Sequence, residues 1–122
     1  MNKPKDQGTK AESRIVAAHL VRGLGAVRLP EGGRNDLGDV EIQAHVRSQF
    51  EPIRIVGEVR DRERMNAAEA LERAVAKSKT HRTALFWTQR VPIPLGGIRA
   101  RKRRCVVITE ELWFELIGGK HG

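Results

Sequence analysis

Residues 38–60 read GDVEIQAHVRSQFEPIRIVGEVR, and their alternation decides the fold. Over Gly38–Val46, the apolar Val40, Ile42, Ala44 and Val46 take one face, and Asp39, Glu41, Gln43 and His45 take the other. Side chains of a strand point alternately to its two faces, so this spacing predicts a strand with one buried face. Arg47–Pro52 reads as a turn. The alternation resumes over Ile53–Arg60, with Ile53, Ile55, Gly57 and Val59 opposite Arg54, Val56, Glu58 and Arg60. Its β-branched residues mark a central strand.

Outward from this pair, the pattern changes period. On the N-terminal side, Val16, Ala17, Leu20, Val21 and Leu24 repeat as one helical face, predicting a helix over Lys10–Leu24 that ends at Gly23 and Gly25. Residues 1–9 (MNKPKDQGT) carry no apolar pattern and read as a flexible basic tail. Ala26–Leu29 reads as a first strand, and Pro30–Leu37 as a loop. On the C-terminal side, Asn66 with Glu69 three residues on forms a capping signal for a helix over Asn66–Ser78. Leu71, Ala74, Val75 and Ser78 give that helix its inner face. Thr83–Arg90 and Arg103–Ile108 read as a fourth and a fifth strand, separated by a Pro- and Gly-containing loop, Val91–Ala100. Thr109 can cap a last helix, with Glu110 and Glu111 in its first turn and Leu112, Trp113, Leu116 and Ile117 toward the core. The order is αβββαββα in one α/β domain over 10–119. A helix joins strands three and four, so those two can pair in parallel within a mixed five-stranded sheet flanked by helices.

Composition narrows the partners. Twenty-three Lys and Arg stand against fifteen Asp and Glu in 122 residues, a formal charge of +8. An excess of that size points to a polyanion. It is uneven: residues 1–60 hold ten basic and eight acidic residues, and 61–122 hold thirteen and seven. Most of the acids therefore lie in the half with little excess charge. One cysteine, Cys105, allows no internal disulfide and excludes a disulfide-stapled scaffold. No apolar run approaches the ~20 residues of a membrane span, and the polar Met1–Lys10 has no signal-peptide core. The expectation is a cytoplasmic protein with no membrane partner.

Asp39 starts strand two just after a glycine, Glu58 lies late in strand three, and Arg60 shares the face of Glu58. If the two strands pair, the carboxylates approach each other at one edge of the sheet. Two carboxylates facing one cavity repel, and a divalent cation relieves that cost; all-oxygen ligands suit Mg²⁺ or Mn²⁺. Such a cation lowers the pKa of a bound water and neutralises charge developing on a phosphodiester. Glu41, on the face of Asp39, is a spare ligand.

The motifs Gly-Asp-Val at 38–40 and Ile-Val-Gly-Glu-Val-Arg at 55–60, with Glu12 in the preceding helix, resemble the PD-(D/E)XK nuclease superfamily. The nearest likeness is to archaeal-type Holliday junction resolvases and their phage relatives, across residues 10–118. The resemblance implies a restriction-endonuclease-like core and Mg²⁺-dependent cleavage of branched DNA by a homodimer, in a bacterial, archaeal or phage-infected cell. By the same resemblance Asp39 and Glu58 would bind the metal, Val59 would add a backbone carbonyl, and Glu12 would assist. Arg60 stands where the family has Lys. Arginine stays protonated and cannot act as a base, so either a metal-bound hydroxide needs no protein base, or another residue such as Lys77 of the second helix substitutes, or the site is degenerate. A non-catalytic nucleic-acid-binding module is the alternative.

The run Arg99, Arg101, Lys102, Arg103, Arg104 places five cations in six residues, suited to phosphate contact or to protecting a sheet edge. Lys77, Lys79, His81 and Arg82 form a second patch, and Arg34 in the glycine-rich loop could reach a DNA backbone. The histidines (19, 45, 81 and 121) have no metal-ligand spacing with Cys105. Cys105, Phe86, Trp87, Trp113 and Phe114 follow core periodicity. The apolar Val91–Ile98 segment is a candidate dimer contact.

Overall fold

In the computed structural model the described backbone covers residues 3–30, 37–46, 49–91 and 101–118, and the described side chains are those of 10–30, 37–46, 49–90 and 102–118. Eight elements follow in the expected order: α1 (Lys3–Leu20), β1 (Gly25–Arg28), β2 (Val40–Ala44), β3 (Ile53–Asp61), α2 (Ala67–Ser78), β4 (Thr83–Val91), β5 (Arg101–Ile108) and α3 (Glu110–Leu116). The sheet order is β1-β2-β3-β4-β5. Among the described residues β3 and β4, joined through α2, pair in parallel, and β1–β2, β2–β3 and β4–β5 pair antiparallel. The protein is thus α/β, with a five-stranded mixed sheet flanked by three helices.

β3 is central and buried on both faces. Ile53, Ile55 and Val59 join Val40, Ile42, Ala84 and Phe86 beneath Ala11 and Ile15 of α1. On the opposite face Val56, Leu85 and Ala74 are buried on the α2 side. Strand alternation puts Glu58 on this second face. Gly57 allows the close approach of the neighbouring strands: a Cβ there would lie 2.5 Å from a ring carbon of Phe86 and 2.7 Å from Val40 Cγ2.

The caps agree with the sequence. Asn66 Oδ1 accepts from the Glu69 amide at 3.1 Å, and Thr109 Oγ1 accepts from the Leu112 amide at 3.2 Å. Strand ends shift by one or two residues, and three larger differences follow. α1 begins at Lys3, within the stretch read as a tail, and stops at Leu20. A helix nucleated by buried turns propagates cheaply into polar sequence. Its sheet-facing stripe is Ala11, Ile15 and His19, at i, i+4, i+8, with the His19 ring edge-on to Phe86 at 5.5 Å. Val16 packs beside that stripe, but Leu20 and Val21 are rotated away and exposed.

Second, α3 is seven residues long, and only Leu112 and Leu116 reach the core. A helix that short presents one i, i+4 pair, so Trp113, Phe114 and Ile117 are exposed rather than in the core. Third, Cys105 is half-buried with a free thiol, because β5 is an edge strand. The Val91–Ile98 segment lies, after Val91, outside the described residues.

Candidate active site at the end of the central strands

The site is built on β3 and on the residue that precedes β2. Asp39 is held by three backbone-anchored bonds. Its amide donates to Gly57 O at 2.9 Å, its carbonyl accepts from Leu29 N at 2.9 Å, and its Oδ2 accepts from Val59 N at 2.8 Å. Gly38 permits this approach, since a Cβ there would collide with Val56 Cγ1 and crowd Gly57 O at 3.1 Å. The Asp39 carboxylate is therefore delivered to the end of β3 without depending on side-chain freedom.

Glu58 is 3% exposed, which is rare for a carboxylate unless it is paired. Two cations flank it: Arg60 Nη2 lies 3.1 Å from Oε2 and Lys77 Nζ lies 3.0 Å from Oε1. Lys77 compensates the charge of the enclosed Oε1. The other prong of Arg60, Nη1, donates to Val59 O at 2.9 Å and lies 3.5 Å from Asp39 Oδ2. One guanidinium thus touches Asp39, Glu58 and the Val59 carbonyl together. These are the three oxygen donors singled out in the sequence, and they meet at the end of central strands, not at a sheet edge.

Above Glu58, between the end of β3 and α2, opens a cavity of about 270 Å³. Arg60, Arg62, Arg73 and Lys77 line it with the carboxylates of Glu58 and Glu69. Arg62 and Arg73 were not singled out from the sequence. Their signal was present, since Arg62 continues the period-2 face of Glu58 and Arg60, and Arg73 precedes Lys77 by one helical turn. Arg73 is tied to Glu69 by an i, i+4 pair.

Other acids keep cationic partners of their own. Glu12, on α1, is buried and pairs with Arg28 at 3.7 Å, and Arg28 lies opposite Val40, the neighbour of Asp39. Among the described residues, no three His, Cys, Asp or Glu side chains are grouped to hold a metal ion. Glu41 pairs with Arg54 across the β2–β3 pair. Asp61, at the end of β3, faces Arg14 at 3.9 Å and Lys102 at 4.0 Å.

The basic patches are divided by the fold. β5 alternates, so Lys102 and Arg104 share the α1 face with Val106, and Arg103 takes the face of Glu58. All three are exposed. Arg101 opens β5, but its side chain, like Arg34 and Arg99, lies outside the described residues. Lys79 caps α2 in a left-handed conformation and is exposed.

Arg82 is committed to α3. It holds Glu115 through two bonds of 2.8 and 2.9 Å, with His81 Nε2 at 3.3 Å from the same carboxylate. The hydrogen bonds and charge of Arg82 lower the Glu115 pKa, and the same bonds raise that of Arg82. Arg82 therefore ties α3 to the start of β4.

Among the described residues no helix is long and apolar enough to cross a membrane. No protein-family model, no curated protein and no solved structure matches the chain.

Proposed function

We propose that this protein is a structure-selective DNA endonuclease of the PD-(D/E)XK type, built on a restriction-endonuclease-like core and acting on four-way or other branched DNA. The observation that carries this reading is the convergence of Asp39 Oδ2, Glu58 Oε2 and Val59 O on one cationic group beneath a basic cavity. Two carboxylates and a carbonyl form a hard-oxygen donor set of the kind that suits Mg²⁺ or Mn²⁺. Bound there, the cation would supply Lewis-acid activation of water and neutralisation of charge on the phosphodiester.

The chain's own residues do the rest. The Val59 amide and the Gly57 carbonyl fix Asp39, which cuts the entropy of assembling the donor set. Lys77 projects from α2 to the far oxygen of Glu58, the place left open when Arg60 stands in for the family lysine. A lysine there can position or deprotonate a water; an arginine cannot accept the proton. Arg62 and Arg73 offer the phosphate backbone two further cations, and Arg103 extends the same face. Among the described residues no helix projects like a major-groove reader, so recognition would rest on backbone shape. A four-way junction is close to two-fold symmetric, which suits a homodimer carrying two such sites.

The rival reading is a nucleic-acid-binding module without chemistry. One observation favours it: Arg60 and Lys77 already neutralise both carboxylates. The deciding experiment incubates the protein with labelled four-way junction, flap and linear duplex, in Mg²⁺, Mn²⁺ or EDTA, beside Asp39→Asn. Paired symmetric nicks in the junction, lost in EDTA and in the variant, are expected. Salt-sensitive binding with no cut under any condition would transfer the assignment to the binding module.

A further inference from the structure

The guanidinium of Arg60 reaches all three donors of the proposed metal site: Val59 O at 2.9 Å, Glu58 Oε2 at 3.1 Å and Asp39 Oδ2 at 3.5 Å. With Lys77 at 3.0 Å from Glu58 Oε1, two positive charges already balance the two carboxylates. A divalent cation entering this arrangement would meet two positive charges, and its oxygen ligands would already be engaged. The two cations are the members of the group with somewhere to go: the Arg60 and Lys77 side chains are each 38% exposed, against 3% for that of Glu58, and both line the cavity where Arg62 and Arg73 also present cations. Of the two, Arg60 is the one that reaches all three donors.

From these contacts we infer that Arg60 is a phosphate-released plug. In the free protein it covers the metal donors, and a nucleic-acid phosphodiester in the cavity draws the guanidinium away and opens them. The inference rests on the metal-site reading above. It adds an order of assembly: substrate first, divalent cation second. The physical basis is a competition for one guanidinium between two fixed carboxylates and an incoming phosphate, which takes a two-pronged bond from arginine as readily as a carboxylate does. Metal and phosphodiester then bind cooperatively, and by linkage each tightens the other by the same factor. The arrangement would keep the donor set closed in the free protein and leave it competent only on nucleic acid.

The test reads metal binding directly. Free Mn²⁺ is followed by electron paramagnetic resonance as it is titrated with wild-type protein, Arg60→Ala and Arg60→Lys. Each titration is run with and without a phosphorothioate-linked dinucleotide whose own Mn²⁺ binding is subtracted. The dinucleotide is expected to tighten Mn²⁺ binding to the wild type by roughly 5- to 150-fold, the usual span of coupling between two sites. Arg60→Ala should bind Mn²⁺ tightly without the dinucleotide and lose most of its effect. Arg60→Lys, which keeps the charge and loses the two-pronged reach, should fall between them. Circular dichroism confirms that each variant is folded, and the lysine variant carries the test if the alanine variant is not.

Equal Mn²⁺ affinity in wild type and both variants, at a measurable level, would overturn the plug and leave the metal site standing. No Mn²⁺ binding in any arm would remove the metal site and the plug together.

Discussion

Replacing Gly57 by alanine probes how β3, and with it Glu58, is seated. A Cβ at Gly57 would lie 2.5 and 2.7 Å from two ring carbons of Phe86 and 2.7 Å from Cγ2 of Val40. Neither neighbour is a flexible end: Phe86 is 6% and Val40 0% exposed, and both belong to strands hydrogen-bonded to β3. Relief of the contacts therefore requires the strands themselves to shift. Overpacking a filled core typically costs about 1–3 kcal/mol, and collision on two sides places this change near the upper end. For a domain of this size each kcal/mol shifts Tm by roughly 3–6 °C, so Tm should fall by roughly 9–18 °C.

Urea unfolding followed by tryptophan fluorescence gives the free energy, and a circular dichroism melt gives Tm. Phe86→Leu removes ring carbons from the point of collision. Combined with Gly57→Ala, it should leave the double variant more stable than the sum of the singles, with a coupling of about 0.5–3 kcal/mol. A Gly57→Ala protein within about 0.5 kcal/mol of the wild type, the scale of a surface substitution, would refute the close-approach account of this glycine. Strict additivity of the pair would refute the assignment of Phe86 as the obstacle.

The Arg82–Glu115 pair sets a pH dependence. Arg82 holds the Glu115 pKa below its ordinary 4.5, so the stabilisation is present above the unfolded-state value and is lost as pH falls through the lowered folded-state value. Stability measured by urea unfolding from pH 6 downward should decline below pH 4.5, and Glu115→Gln should flatten part of that decline. On the nucleic-acid side, Arg62→Ala and Arg73→Ala should each weaken junction binding and reduce the slope of log affinity against log salt by about 1. Fluorescence anisotropy at several salt concentrations measures this. Unchanged slopes in both variants would remove the cavity from the contact surface.

Element order, strand faces and caps follow from local spacing. Period-2 and period-3.6 patterns and short side-chain-to-backbone bonds act within a few residues, so Val40–Ala44, Ile53–Asp61, Asn66 and Thr109 were legible from local spacing. Asp39 and Glu58 stand out in the sequence as polar residues beside or within apolar strands, a pattern that marks an exposed face or a site. Tertiary structure decided which partners those residues keep. Only the register of β2 on β3 and the crossing of α2 bring Arg60 onto Asp39 and Glu58 and Lys77 onto Glu58.

The same holds for what moved. The α1 stripe was read from Val16, Leu20 and Val21, yet the sheet takes Ala11, Ile15 and His19, because which face a helix buries depends on the surface it meets. Arg82 looked like a free cation until Glu115, 33 residues away in the chain, was folded against it. The basic run of β5 read as one patch, and strand alternation placed its members on opposite faces of the sheet. Local pattern records what each residue prefers. Charge pairing and burial depend on through-space distances between segments far apart in sequence, and only the assembled sheet sets those.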